Sequence, residues 1–184
     1  MADADPRMLL VLDLDETLVW ADDRPDPDVP ADFQVGWWQV RRRPHLDAFL
    51  RGAAERFRPA VWSSAGSLYV QGVVERVFAG HEPPAFVFSG ERCVARIDPE
   101  TYLQTPIKDL RKVARLGFDL RRTLIVDDSP EKVRRHYGNA VYVRPWTGDP
   151  ADDELPRLLR YLHTLADVAD VRRIEKRRWR TGLS

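Results

Sequence analysis

The sequence has little of what marks secreted, disulfide-bonded or membrane-spanning chains. Its single cysteine, Cys93, leaves no partner for an internal disulfide. The first apolar run, residues 8–12, is too short for a signal sequence or a membrane span. Twenty-nine basic residues balance twenty-nine acidic ones, so no net charge favours nucleic acid or a membrane surface. We therefore expect a cytoplasmic protein, with neither a membrane nor nucleic acid as its partner.

The length and hydrophobic content indicate one domain. A chain of 184 residues that is 43% hydrophobic can bury one good core. Short apolar strands alternate with amphipathic helices, which predicts an α/β fold with a mostly parallel sheet flanked by helices. The predicted strands are residues 8–12, 33–40, 59–62, 85–88, 94–97, 123–126 and 140–143. The predicted helices are residues 44–56, a segment following the loop at 63–67, residues 110–116 and residues 155–165.

Three further boundaries follow from composition. Residues 21–31 carry four aspartates and three prolines, so we expect an exposed insertion after the first strand, without regular structure. We expect no large cap domain. Six basic residues and one acid lie between residues 171 and 180, and we expect residues 166–184 to form a basic tail outside a core spanning about residues 8–165.

Two buried strands are predicted to end in pairs of carboxylates. Asp13 and Asp15 follow the first strand, and Asp127 and Asp128 follow the strand at 123–126. A single aspartate at a strand end is commonly a turn former or helix cap. Two pairs at one edge of a parallel sheet would repel each other unless a cation or shared proton intervened. Because carboxylate oxygens suit Mg²⁺, the four aspartates predict a Mg²⁺ site.

Two further segments add groups that can bind a phosphate. Ser63 and Ser64 lie in a loop of small residues that opens a helix, where hydroxyl and backbone N–H groups can donate to an anion. Lys108 could neutralise that anion. Alone, a serine in such a loop would be interpreted as a helix cap, and Lys108 as a solvated lysine. Together with the carboxylates they indicate phosphoryl transfer, which depends on positioning and charge neutralisation. The four histidines have no zinc-ligand spacing.

Five motifs resemble the haloacid dehalogenase superfamily of aspartate-nucleophile phosphatases. Within it they resemble the FCP/SCP, or NLI-interacting-factor-like, phosphatases that act on the C-terminal domain of RNA polymerase II. The motifs are DLDETLV from Asp13, RRRPHLDAFL from Arg41, VWSSAG from Val61, IKDLRKVARLG from Ile107 and LIVDDSP from Leu124. The resemblance covers about residues 8–165. It implies a Mg²⁺-dependent phosphomonoester hydrolase that acts through an aspartyl-phosphate.

The resemblance also implies a role for each matching residue. Asp13 corresponds to the nucleophile. Asp15 corresponds to the general acid, and its backbone carbonyl also contributes to the metal site. Ser63 and Lys108 correspond to the phosphate-binding residues. Asp128, with Asp127 beside it, corresponds to the residue that completes the Mg²⁺ shell. Thr17 is expected to brace the loop.

The substrate side departs from the family pattern. Relatives that bind the polymerase tail have an aromatic residue after the first motif, whereas residues 21–24 contain none. Their substrate-side tyrosine corresponds to Tyr69. Their arginine falls at about Gly90, so Arg92 is a candidate substitute, and Trp37 and Trp38 are candidates for an aromatic surface.

These observations favour a serine/threonine phosphatase acting on a phosphorylated protein or peptide. A small-molecule or nucleotide phosphatase is an alternative, because the same chemistry accepts many leaving groups. A noncatalytic binding scaffold with the same fold is the alternative of another class. The presence of Asp13, Asp15 and Lys108 argues against the scaffold.

Overall fold

The computed structural model describes residues 5–23, 30–97 and 104–182. Within these residues the strands are β1 (Met8–Leu12), β2 (Val19–Asp22), β3 (Phe33–Val35), β4 (Trp38–Arg42), β5 (Phe57–Trp62), β6 (Val87–Phe88), β7 (Val94–Ile97), β8 (Gln104–Ile107), β9 (Thr123–Asp127) and β10 (Ala140–Tyr142). The α-helices are α1 (Leu46–Ala54), α2 (Ser67–Val77), α3 (Arg111–Ala114) and α4 (Glu154–Leu165). The 3₁₀ segments include Pro130–Asn139, Val171–Arg173 and Trp179–Gly182.

A five-stranded parallel sheet forms the centre of the fold. Its strand order is β10-β9-β1-β5-β6, and each neighbouring pair is parallel. The chain runs outward from β1 to β5 and β6, then returns to the other side of β1 for β9 and β10. The order therefore reverses between β1 and β9, the point where α/β sheets bind their ligands. This sheet confirms the predicted α/β class.

The central strand packs against helices on both of its faces. Met8, Leu10 and Leu12 contribute to the larger core cluster, which also contains buried residues of α1, α2 and α4. Leu9 and Val11 contribute to the second cluster, on the side of α3. Alternate residues of a strand point to opposite faces, so all five side chains of β1 are buried. The continuous apolar run is the result of this two-sided burial.

The insertion after β1 forms a small antiparallel sheet of order β2-β4-β3. The prediction that residues 21–31 lack regular structure is wrong for Ala21 and Asp22, which end β2; residues 24–29 lie outside the described residues. The prediction of a single strand at residues 33–40 is also wrong. These residues form a hairpin in which Val35 pairs with Trp38 around a two-residue turn. Gly36 has a φ of 60°, a conformation that favours glycine and makes such a turn possible.

Other boundaries differ by a few residues. The helix predicted from residue 44 begins at Leu46, because His45 has left-handed backbone angles (φ 67°). Strand β5 begins at Phe57, two residues before the predicted start. Helix α3 covers only Arg111–Ala114 of the predicted 110–116. Part of the predicted loop at 98–106, residues 98–103, lies outside the described residues.

The C-terminal segment packs onto the domain. Val171 and Trp179 are buried within the larger core cluster. The Trp179 ring stacks on Tyr161 at a centroid distance of 5.5 Å, and its Nε1 donates to the Tyr142 carbonyl at 2.8 Å. The packed core therefore extends beyond residue 165, where the sequence pattern put its end. Among the described residues, no helix has the length and apolar character needed to cross a membrane.

Candidate active site

The candidate site lies at the carboxyl ends of β1, β5 and β9. Asp13 follows β1, and its N–H donates to the Val126 carbonyl at 3.0 Å, which continues the strand pairing by one residue. Asp127 is the last residue of β9. Ser63 follows β5, and its N–H donates to the Phe88 carbonyl at 3.0 Å. All three side chains are buried, so the sheet itself fixes where they lie.

Lys108 bridges two of the carboxylates. Its Nζ lies 2.6 Å from Asp13 Oδ1 and 2.6 Å from Asp127 Oδ2. The lysine follows β8, and its backbone N–H donates to the Lys132 carbonyl at 2.8 Å. Burial by itself would lower the pKa of Lys108, but the two carboxylates outweigh burial and raise it. A charged ammonium therefore offsets part of the negative charge at the centre of the site.

Asp13, Asp127 and Asp128 form an acidic cluster that could hold a cation. One carboxylate oxygen from each lies within 4.8 Å of the others. Asp127 Oδ1 accepts the Ser129 N–H at 2.9 Å, and Asp128 Oδ2 accepts the Ser129 hydroxyl at 3.0 Å. The buried Asp128 Oδ1 has no hydrogen-bond partner. Burial, with the Asp13 charge adding to it, raises the pKa of both Asp127 and Asp128.

This cluster fits a hard divalent cation. If all three carboxylates are ionised, the single Lys108 charge leaves two negative charges uncompensated. The unpartnered Asp128 oxygen is a free ligand atom, and the donors are all oxygens, as Mg²⁺ prefers. The Asp15 carboxylate is not a member of this cluster, because it is directed to a different set of partners. The role predicted for the Asp15 backbone carbonyl in the metal site stays a prediction.

The Asp15 carboxylate contacts hydroxyl groups. The Tyr69 hydroxyl donates to Oδ1 at 2.6 Å, and the Ser63 hydroxyl lies 3.4 Å from Oδ2. Burial raises the pKa of Asp15; the Tyr69 and Ser63 hydrogen bonds lower it, and the Asp13 charge adds to the increase, so the net direction is upward. Burial and the Asp13 charge thus shift this carboxyl toward its protonated form. A carboxyl in this state can donate a proton to a leaving group.

The loop that carries Asp13 and Asp15 is held by a buried arginine that the sequence analysis did not single out. Arg43 is 1% exposed. It donates to the Thr17 carbonyl at 3.0 Å and to both Asp152 oxygens at 2.8 Å. Thr17 in turn lies within hydrogen-bond distance of Asp13, at 3.3 Å from its Oδ2. The only available signal was the RRRPH motif, within which spacing does not separate this arginine from its neighbours.

The aromatic candidates lie beside Asp15. A cavity of about 450 Å³ is lined by Asp15, Trp20, Trp38 and Tyr69, among others. A neighbouring cavity of about 600 Å³ shares Trp38 and Tyr69 and adds Trp37. The Trp38 and Tyr69 rings are 6.0 Å apart, and the two tryptophan rings 6.4 Å apart. The structure thus brings the three predicted aromatic residues together at the opening of these cavities. This opening, lined by Trp37, Trp38 and Tyr69, is called the aromatic mouth below.

Two predicted residues are not brought into the centre of the site. Arg92 lines neither aromatic cavity. Its guanidinium lies 5.0 Å from the Phe88 ring centroid, and its carbonyl accepts from Lys112. Ser64 lies in the loop after Ser63, where its carbonyl packs so closely on Gly90 that a Cβ there would clash. The glycine at the position of the family arginine is therefore required by packing.

The fold and the acidic cluster define an α/β protein of the haloacid dehalogenase type, with the site at the switch point of its parallel sheet. The sequence matches the model of the NLI interacting factor-like phosphatase family over residues 8–172. The chain belongs to this phosphatase family, which confirms the resemblance found in its motifs.

Individual relatives agree with this assignment. The chain is 37% identical over 169 residues to a "Probable C-terminal domain small phosphatase" of Dictyostelium discoideum, covering 89% of this chain and 52% of the relative. It is 35% identical over 171 residues to the human "Carboxy-terminal domain RNA polymerase II polypeptide A small phosphatase 2", covering 90% and 59%. The chain thus spans little more than half the length of these relatives.

A solved structure shows the same fold. "The Structure of Fcp1, an essential RNA polymerase II CTD phosphatase" superposes with a TM-score of 0.65 at 18% identity. The match covers 87% of this chain and 62% of that protein.

Proposed function

We propose that this protein is a Mg²⁺-dependent phosphatase that hydrolyses phosphoserine or phosphothreonine in proteins through an aspartyl-phosphate on Asp13. The observation that carries the proposal is the Lys108 ammonium, 2.6 Å from both Asp13 and Asp127 at the centre of a buried acidic cluster. Three carboxylates and a buried ammonium are costly to assemble unless they serve chemistry.

In the first step a carboxylate oxygen of Asp13 attacks phosphorus, and the bond between phosphorus and the serine or threonine oxygen breaks. Asp15 donates its proton to that leaving oxygen. In the second step Asp15, now ionised, takes a proton from water as the water oxygen attacks phosphorus. The bond between phosphorus and Asp13 breaks, which releases phosphate and restores both carboxyl groups.

The surrounding residues orient these groups. Lys108 holds Asp13 and provides positive charge next to the transferring phosphoryl group. The Ser63 hydroxyl accepts the Ala65 N–H at 3.0 Å, which fixes the loop that would bind a phosphate oxygen. Tyr69 and Ser63 orient the Asp15 carboxyl.

Asp13, Asp127 and Asp128, with the Asp15 carbonyl, would hold Mg²⁺. When bound, the ion would neutralise charge on the phosphoryl oxygens. The unpartnered Asp128 Oδ1 supports this assignment.

The aromatic mouth supports a peptide substrate. Trp37 is 74% exposed and adjoins Trp38 and Tyr69, so a large apolar surface is open to solvent beside Asp15. Exposed aromatic surfaces at a site commonly bind a partner.

The test is hydrolysis of phosphoserine peptides, nucleotides and small phosphate esters, with Mg²⁺ and with chelator. We expect peptides to have the highest kcat/KM, and activity to be lost in chelator. Asp13→Asn should keep its fold and lose turnover, and beryllium fluoride should add to Asp13 in the native chain. Faster hydrolysis of a small ester than of every peptide would contradict the protein substrate. A beryllium fluoride adduct on Asp15 would contradict the assigned nucleophile.

A further inference from the structure

A cavity of about 600 Å³ lies on the domain away from the acidic cluster and is referred to below as the C-terminal cavity. It lies between the 3₁₀ segment Pro130–Asn139 and the segment that follows Asp170. Its lining includes Tyr137, Tyr142, Arg172, Arg173, Lys176 and Arg177. The proposed reaction uses none of these residues.

Lys176 is the unusual member of this lining. It is 4% exposed, yet its Nζ donates only to backbone carbonyls, those of Val171 at 2.5 Å and Ile174 at 2.8 Å. Among the described residues, no carboxylate lies within ion-pair distance of it. Burial lowers the pKa of Lys176, and the nearby charges of Glu175 and Asp170 offset only part of that decrease. An ammonium has three hydrogens, so one has no partner here.

The neighbouring charges leave the cavity positive. Four cationic side chains and one carboxylate, Glu175, line it. Glu175 pairs with Arg177, and Asp170 pairs with Arg172. Arg173 reaches Asp170 only at 3.9 Å, and its side chain is 87% exposed. Arg173 and Lys176 therefore contribute positive charge that their protein neighbours do not closely match.

The cavity has room for more than a single ion, and it has aromatic surface. Tyr137 is 77% exposed at its edge. Tyr142 is the register partner of Asp127 on the neighbouring strand. The cavity thus borders the strand beside the one that carries a proposed metal ligand.

We propose that the C-terminal cavity binds a phosphate group of a phosphorylated peptide, as a docking site separate from the catalytic centre. Arg173 and Lys176 are the residues assigned to contact the phosphate. Arginine and lysine are the usual phosphate ligands in proteins. The choice of a phosphopeptide over other phosphate carriers rests on the proposed function. The evidence that the cavity is positively charged is independent of that function.

The experiment uses the full chain carrying Asp13→Asn, so that a bound phosphopeptide is not hydrolysed. Backbone amide NMR spectra are recorded during separate titrations with a doubly phosphorylated serine peptide, its unphosphorylated form, inorganic phosphate and a single-stranded oligodeoxynucleotide. The amides of residues 171–177 report the C-terminal cavity, and those of residues 63–66 report the candidate active site. Arg173→Ala and Lys176→Met are tested on this background, with Arg160→Ala as the control for loss of an exposed charge on α4.

We expect saturable shifts at residues 171–177 with the phosphopeptide and none with its unphosphorylated form. Affinity at this site should fall at least threefold in Arg173→Ala and Lys176→Met, remain unchanged in Arg160→Ala, and weaken with added salt. If Lys176→Met does not fold, the exposed Arg173 decides the outcome.

Four results would overturn the proposal. They are the absence of shifts at 171–177, equal affinity in Arg173→Ala, tighter binding of the oligonucleotide than of the phosphopeptide, and equal binding of inorganic phosphate and phosphopeptide. Failure of the proposed function is recognised separately, from absent turnover in the native chain and from absent shifts at residues 63–66.

Discussion

Replacing Trp179 by alanine should destabilise the whole domain, although this residue lies in the most basic part of the sequence. Trp179 is 3% exposed, stacks on Tyr161 and donates its indole N–H to Tyr142. The next residue, Arg180, pairs with the buried Glu154 of α4. The Trp179 side chain therefore joins α4, through Tyr161, to the edge strand β10, through Tyr142.

The expected magnitude follows from these contacts. Removing a buried tryptophan side chain costs about 3–5 kcal/mol of unfolding free energy, counting lost burial and the cavity left behind. The total stability of a domain is only about 5–15 kcal/mol. For a chain of this size the loss corresponds to a decrease in Tm of roughly 6–20 °C. Ending the chain after Val171 should cost more, because it also leaves the Glu154 carboxylate without Arg180.

The assay is chemical denaturation of Trp179→Ala beside Trp37→Ala. The control removes the same side chain from a position that is 74% exposed, so its unfolding free energy should change by less than about 1 kcal/mol. A loss below about 1 kcal/mol in Trp179→Ala would refute the reasoning. Full hydrolysis of a small aryl phosphate by the chain ending at Val171 would show that this segment is dispensable after all.

Three other predictions concern the site and its support. Asp128→Ala should raise the Mg²⁺ concentration for half-maximal activity at least about tenfold, since it removes a proposed ligand; an unchanged concentration would contradict that role. Asp152→Ala should lower the free energy of unfolding, measured by chemical denaturation, by about 3–5 kcal/mol, because it leaves the Arg43 guanidinium buried without its carboxylate. The control Asp153→Ala, at the exposed neighbouring position, should lower it by less than about 1 kcal/mol. Tyr69→Phe removes a hydrogen bond that lowers the pKa of Asp15, the proposed general acid. The pKa of Asp15 should therefore rise, and the high-pH decline of kcat/KM should move to higher pH. A shift of that decline to lower pH would contradict the argument.

The carboxylate centre could be predicted because its determinants are local in sequence. An apolar run that ends in aspartates indicates both the strand and the edge where its side chains gather. Two such runs, ending at Asp13 and Asp127, were enough to infer convergence, since parallel strands end at the same edge. Lys108 could be proposed only from its combination with the other groups and from the family motif, because nothing in its spacing separates a buried lysine from a solvated one.

The supporting contacts could not be predicted because their determinants are distant. Arg43 bonds Asp152, which is 109 residues away, and Trp179 bonds Tyr142, which is 37 residues away. Both lie in runs of arginine, whose composition does not separate the buried residue from its neighbours. The hairpin around Gly36 was missed for a different reason. Its two strands are short and similar in composition, and only the left-handed glycine divides them.

The different roles proposed for Asp13, the nucleophile, and Asp15, the general acid, follow from what each side chain contacts. The two residues are identical and lie two positions apart on one loop. Asp13 meets the Lys108 ammonium at 2.6 Å, which holds its carboxylate in place for attack. Asp15 has no such partner among its hydrogen bonds, which come from the neutral hydroxyls of Tyr69 and Ser63, and burial raises its pKa. A carboxyl whose pKa is raised, beside a second carboxyl held by an ammonium, is the arrangement that acid and nucleophilic catalysis requires.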